Sequence, residues 1–129
     1  MRDVAFVFFL AAVLCVLVGM AWGIQMAVTH DHLLSGAHAH LNLVGWTTMA
    51  LFGLYYRATP QAAMTRLARL HAAIAILGVV VMVPGIVLAV TTGKAGLAAA
   101  GALLTSLSMA IFLITVLRHG LGEVKTQSV

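Results

Sequence analysis

Histidines are the residues of this chain best suited to chemistry, because six of them occur in a small protein with few other ionisable side chains. Neutral imidazole binds iron, copper and zinc through a ring nitrogen. Four of the six fall within eleven residues, so a metal or a metal-bearing cofactor would find several ligands in one short stretch. These four are His30, His32, His38 and His40.

The pair His38-Ala39-His40 is the most informative part of this stretch, because its spacing restricts what it can bind. Residues two apart on an α-helix point about 200° away from each other. His38 and His40 therefore cannot ligate the same ion on a regular helix, but each can serve a separate site on opposite flanks. The alternative is that both side chains cap the helix or meet interfacial water.

A stripe of small and polar residues follows on the flank below His38. Asn42, Gly45, Met49 and Gly53 recur at steps of three and four, which places them on one face of a helix. Small residues allow another body to approach the helix backbone closely. That body is either a neighbouring helix or a flat cofactor, and the spacing leaves both open.

The composition determines the elements that must hold these residues, since 63% of the 129 residues are apolar and only 8% are charged. Soluble domains have about 45–50% apolar and about 25% charged residues, so lipid must be the solvent for most of this chain. A membrane-spanning helix needs about 20 apolar residues. We therefore predict an all-α, single-domain integral membrane protein with four spans, at residues 4–28, 37–56, 70–90 and 95–117.

The net charge of +4 does not indicate nucleic-acid binding, because the seven Lys and Arg residues lie at predicted helix ends rather than in a stripe. Cytoplasmic loops of membrane proteins carry an excess of such residues. Of the seven basic residues, only Lys94 lies on one side of the predicted topology. We therefore predict that both termini lie on the cytoplasmic side of a bacterial inner membrane and that the His38–His40 pair lies on the outer side. The six basic residues on the cytoplasmic side are Arg2, Arg57, Arg66, Arg69, Arg118 and Lys125.

The same topology places His71 and His119 at the cytoplasmic end, about 25 Å from the outer pair by helix rise. They cannot join a site built on His38 and His40. We expect both to be interfacial residues that meet lipid headgroups.

Residues 37–57, AHAHLNLVGWTTMALFGLYYR, resemble the tenth helix of subunit I of the haem–copper oxidases. The likeness lies in the His38–His40 pair near the outer end, in Gly45, and in the ending from Phe52 to Tyr56. It covers 21 of the 129 residues. The resemblance implies that the two histidines ligate two different haems on either side of one helix, which agrees with the helical spacing.

The oxidase subunit consists of three arcs of four helices, so the resemblance implies that this four-helix chain corresponds to one arc and forms a homotrimer. His40 of one protomer and His38 of its neighbour would then bind one haem b. The copper-binding histidines of the oxidases have no counterpart here, so we expect electron transfer, or redox or gas sensing, rather than oxygen reduction, and assign no catalytic residue. The expected neighbours of the haem are Asn42, Gly45, Trp46 and Thr47, with Lys94 as the partner of a propionate.

Two other functions remain open at this point. Copper or zinc at the outer surface could draw ligands from His30, Asp31, His32, His38 and His40. A structural site takes about four ligands, so His30 or His32 would have to fold back toward one histidine of the helical pair. Alternatively, the chain is a structural or assembly partner of a respiratory complex, and its histidines are only interfacial. A haem spectrum of the purified protein would indicate the haem function, and stoichiometric copper or zinc would indicate the metal site. A protein with neither would indicate the structural or assembly role.

Overall fold

The computed structural model describes residues 3–122, and within that range the chain is helical apart from short connections. Residues 35–58 form one continuous helical rod, which we call the second rod. The middle of this rod is a π-helix, in which amides bond to carbonyls five residues back. The elements are α1 (Val4–Thr29), α2 (Ser35–His40), the π segment (Leu41–Thr48), α3 (Met49–Ala58), α4 (Pro60–Ala63), α5 (Arg66–Thr92) and α6 (Gly96–His119); α2, the π segment and α3 together form the second rod.

Local sequence signals fix the ends of the long helices. The Asp3 side chain accepts a hydrogen bond from the Phe6 amide and begins α1, and the Thr65 hydroxyl accepts from the Ala68 amide and begins α5. Short polar side chains are favoured at such positions because they satisfy amides that the first turn leaves free. Gly93 ends α5 in the left-handed conformation, with φ of 76°, which glycine adopts without a Cβ clash.

The first helix and the second rod pack as an antiparallel pair. Residue numbers of contacting positions fall along α1 as they rise along the second rod: Gly19 of α1 faces Asn42, and Cys15 faces Gly45. Near the opposite end, the backbone and side chains around Phe9 face Gly53. Glycine on one side of each contact brings the two helices close, so small residues determine the register of this pair.

The helices α5 and α6 form a second antiparallel pair with even closer backbone contacts. A Cβ placed on Gly85 would lie 2.5 Å from the Ala98 nitrogen, and one on Gly101 would lie 2.5 Å from the Met82 nitrogen. Interfaces of this kind hold membrane helices together through van der Waals packing, because lipid supplies no hydrophobic force between helices. The two glycines therefore mark places where the backbones of this pair approach closely.

We expect Gly101→Ala to destabilise the folded protein by about 1–3 kcal/mol, because the added methyl group overlaps backbone atoms that cannot move aside. Gly96→Ala, at the start of the same helix, is the matched control, since its Cβ meets nothing within 4 Å. Unfolding in detergent followed by circular dichroism measures both variants. Equal stability of the two would contradict the close packing of α5 on α6.

Three helices of residues 3–122 are long and apolar enough to cross a membrane, namely α1, α5 and α6. Their outer faces expose large apolar side chains, for example Val28 at 75% and Leu117 at 77%, as a surface in contact with lipid tails does. The all-helical architecture and these three spans confirm that part of the prediction. The fourth predicted span, residues 37–56, corresponds to the second rod.

The predicted spans agree with the helices to within a few residues, except that α5 extends four residues further toward its N-terminus than residue 70. Arg2 and Lys125, two of the residues used to predict the orientation, lie outside the described residues.

Candidate functional site

His40 lies on the last turn of α2 with its side chain exposed to the surroundings of the bundle. Its Nδ1 atom is 2.7 Å from the backbone carbonyl oxygen of Gly36, one turn earlier on the same helix. A carbonyl only accepts hydrogen bonds, so the proton of the neutral ring resides on Nδ1, and Nε2 carries the lone pair. His40 therefore presents the nitrogen that metal ions bind, held in place by a backbone bond of the kind that orients metal-ligating histidines.

His38 lies in different surroundings, against α1. Its side chain is half-buried, and its ring centroid is 6.1 Å from that of Trp22 in an edge-on arrangement. The Asn42 side chain lies beside it: the amide nitrogen is 3.0 Å from the His38 carbonyl oxygen, 3.2 Å from Nε2 and 3.4 Å from Nδ1. The two imidazoles thus face separate environments, as the two-residue spacing on an α-helix predicts.

An open groove of about 430 Å³ runs between α1 and the second rod at this end of the bundle. Its volume falls in the range of roughly 300–1,000 Å³ typical of ligand pockets, and its walls are mostly apolar with one imidazole and one amide. Both polar groups come from the second rod. Among the described residues, the groove is lined by Gly19, Met20, Gly23, Ile24, Ala27, His38 and Asn42.

The stripe below His38 packs against α1, so the body that its small residues admit is a helix of the same chain. Gly45 is buried against Cys15, and Gly53 is buried against Phe9. Of the four residues of the stripe, only Asn42 lines the groove. A flat cofactor at Gly45 would have to displace α1, so this glycine serves helix packing.

Trp46, Thr47 and Lys94 lie outside the groove within one chain. Trp46 is half-buried and packs at the edge of the apolar core, whereas Thr47 is exposed. Lys94 is exposed in the turn that follows α5, where its amide bonds to the Thr92 hydroxyl at 3.4 Å.

His30 and His32 lie exposed in the connection between α1 and α2. The Nδ1 atom of His32 is 3.2 Å from the backbone oxygen of His30, so the His32 ring donates a hydrogen bond to the His30 carbonyl. Within residues 3–122, no three His, Cys, Asp or Glu side chains come together in an arrangement that could hold a metal ion. The fold-back that the copper or zinc hypothesis requires is thus not present in the described part of the chain.

The interfacial position expected for His71 is wrong, because this side chain is fully buried, with an exposed fraction of 0%. Its Nδ1 atom is 2.8 Å from the Tyr56 hydroxyl, and its Nε2 atom is 3.1 Å from the Ser108 hydroxyl. A neutral imidazole has one donor and one acceptor, and a hydroxyl can act as either, so both ring nitrogens are satisfied. His119, by contrast, lies half-buried at the end of α6.

The His71 cluster joins all four rods of the bundle. The imidazole on α5 contacts the rings of Phe8 on α1, of Phe52 and Tyr56 on α3, and of Phe112 on α6, with ring centroids 4.5–5.8 Å apart. The sequence contains no periodic signal for this cluster, since His71 and Ser108 are 37 positions apart. Its closed hydrogen bonding and its burial indicate a structural polar centre rather than a ligand site.

Comparisons of the chain with protein-family models, with curated proteins and with solved structures find no match. The functional assignment therefore depends on the geometry of His38 and His40 and on the segment that carries them.

Proposed function

We propose that the chain is a haem b-binding membrane protein in which His38 of one protomer and His40 of the next ligate the iron. The observation that carries this proposal is the pair of separated imidazoles on α2: His40 is exposed with Nε2 as the lone-pair nitrogen, and His38 borders an apolar groove. The resemblance of residues 37–57 to a haem-ligating helix supports the same assignment.

The donor set fits a haem rather than an isolated metal ion. Imidazole is a common axial ligand of haem iron, and the macrocycle itself supplies the remaining four nitrogens. His38 and His40 of neighbouring chains would together hold the group, so no third or fourth protein ligand would be needed. An ion without a macrocycle would need about four protein ligands, which the described residues do not bring together.

A shared site accounts for the different placement of the two histidines. One chain cannot direct both rings at one iron, because they project from opposite flanks of α2. Cyclic symmetry brings the exposed His40 of one copy to the His38 groove of the next and repeats the site around the ring. A trimer provides three such sites, and this is the assembly that the resemblance favours.

The membrane setting is part of the proposal. We propose that the second rod is the fourth span, that both termini are cytoplasmic, and that the protein lies in a bacterial inner membrane with α2 at the outer side. Arg57 near the other end of the rod supports this placement, since basic side chains are enriched at the cytoplasmic ends of spans.

The resulting chemistry is the transfer of single electrons. A haem with two imidazole ligands has no open position for a gas, so the residues of this chain bind it, orient it and exclude water from its faces. His40 is the ligand more easily released, because it is exposed and only one bond to its own helix holds it. Redox or gas sensing would begin with that release.

The absorption spectrum of the purified protein tests the proposal. Expressed with adequate haem supply, the protein should be red, with a low-spin spectrum whose α and β bands sharpen on reduction, and with about one haem per chain by pyridine haemochrome assay. A colourless protein that carries stoichiometric copper or zinc would replace this proposal with the metal-site hypothesis. A colourless, metal-free protein would refute both and favour a structural or assembly role.

A further inference from the structure

The first helix supplies no ligand to the proposed haem site, yet it forms the wall against which His38 rests. We infer that Gly23 on α1 and Asn42 on the second rod are positioning residues that hold the His38 imidazole for ligation. This inference rests on the proposed function. It assigns to α1 the control of ligand geometry, a role that the His-x-His spacing by itself does not suggest.

Gly23 provides the space in which the imidazole lies. A Cβ at this position would be 3.2 Å from Cε1 of His38 and 3.6 Å from Nε2. The first distance is shorter than ordinary van der Waals contact between carbon atoms, which is about 3.5–4.0 Å. An alanine at position 23 therefore requires the His38 ring to shift by a few tenths of an ångström toward the open side of the groove, which moves the nitrogen that would bind iron.

Asn42 holds the ring from the second rod. Its amide nitrogen bonds to the His38 carbonyl oxygen at 3.0 Å and lies 3.2 Å and 3.4 Å from the two ring nitrogens. The amide is fixed in turn by α1, because its oxygen occupies the place that a Cβ on Gly19 would take. Gly19, Asn42 and His38 thus form a chain of contacts in which the backbone of α1 sets the orientation of the imidazole.

A purely structural role for Gly23 is the competing explanation, since glycines commonly allow helices to pack closely. The two roles predict different measurements. Loss of packing alone lowers the stability of the protein and leaves the position of the His38 ring, and hence its reactivity relative to His40, unchanged. Loss of positioning changes that relative reactivity and the haem signal even where the fold is retained.

The first experiment compares Gly23→Ala with Gly96→Ala in haem-free protein, using diethyl pyrocarbonate to modify histidines. A Cβ on Gly96 meets nothing within 4 Å, so this control carries the same glycine-to-alanine change without touching His38 or the backbone carbonyl that holds His40. We expect Gly23→Ala to raise the modification rate of His38 relative to His40, which is exposed and serves as the internal standard. Tandem mass spectrometry of the peptide that contains both residues gives the ratio.

The second experiment measures haem binding. Gly23→Ala should bind haem measurably more weakly than Gly96→Ala, while both keep the circular dichroism of the wild type. Asn42→Ala removes a contact without adding bulk, and we expect it to weaken haem binding about 10- to 100-fold, the usual effect of losing a residue that orients a metal ligand. The ferric low-spin electron paramagnetic resonance signal of Asn42→Ala should also shift, because the imidazole plane is no longer fixed.

The outcomes separate this inference from the proposed function. Red wild-type protein with unchanged haem content and unchanged His38 reactivity in Gly23→Ala would overturn the positioning role and leave the haem proposal standing. A colourless wild type would refute the haem proposal. The modification ratio of the haem-free variants would then still decide whether α1 positions His38, and an unchanged ratio would overturn the inference.

Discussion

Alanine at either His38 or His40 should leave the purified protein without haem. In the shared-site arrangement every haem uses one His38 and one His40 from neighbouring protomers, so removing either residue leaves every site with a single axial ligand. The expected result for each variant is loss of the low-spin spectrum with unchanged helicity, since neither side chain belongs to the buried core. Pyridine haemochrome assay gives the haem content per chain.

Mixing the two variants tests the sharing of the site directly. A trimer assembled from both chains contains junctions at which the His40→Ala chain supplies His38 and the His38→Ala chain supplies His40. Random co-assembly in equal amounts should restore about a quarter of the wild-type haem, because each of the two required chains occupies its place at a junction half of the time. A site within one chain would recover none, and the co-expressed mixture would stay colourless.

The surface histidines provide the controls. His30→Ala and His32→Ala should keep full haem content, since both side chains are exposed in the connection before α2. Full haem retention in His40→Ala would show that the pairing is wrong and would indicate two His38 ligands from symmetry-related chains. Loss of bound metal in His30→Ala or His32→Ala would instead support the copper or zinc site.

His71→Ala should be among the most destabilising single substitutions in the bundle. It removes a fully buried ring that contacts all four rods and leaves two hydroxyls, those of Tyr56 and Ser108, without their partner. Large-to-small core substitutions of aromatic size cost about 3–5 kcal/mol, to which the unsatisfied hydroxyls add. We expect the loss of stability to appear in haem-free protein as well, since the cluster lies away from the His38 groove.

Two further variants separate packing from hydrogen bonding in this cluster. Tyr56→Phe keeps the ring and removes one bond, so it should cost about 0.6 kcal/mol and at most about 1.7 kcal/mol, the average and the maximum measured for hydrogen bonds between membrane helices. His119→Ala, at the half-buried end of α6, should stay within about 0.5 kcal/mol of wild type. Titration with sodium dodecyl sulfate measures all three, and equal effects of His71→Ala and His119→Ala would contradict the structural role of the cluster.

The positions of the long helices follow from local sequence, and so could be predicted. A run of apolar residues can satisfy its backbone in lipid only by forming a helix, and polar residues such as Asp3 and Thr65 cap the ends. The different surroundings of His38 and His40 also follow locally, from the rotation of about 100° per residue. Neither conclusion needs any knowledge of which helices touch.

The π segment and the groove could not be predicted in this way. A π-helix has no characteristic residue pattern, and a regular α-helix was expected throughout the second rod. The stripe from Asn42 to Gly53 indicated close approach, but the choice between a helix and a cofactor depended on where α1 lies. The structure places α1 there, and only Asn42 remains beside the groove.

The sequence by itself determined that this chain forms apolar helices long enough to span a membrane. It also determined that one helix carries two imidazoles on opposite flanks. The tertiary structure determined the burial and the hydrogen-bond partners of each histidine. His71 was expected at the headgroups, but it is buried at the centre of the bundle. There it hydrogen-bonds to the hydroxyls of Tyr56 and Ser108, which are 15 and 37 positions away in the sequence. Burial of a polar ring depends on partners that other helices bring, and such partners are invisible to the periodicity of its own helix.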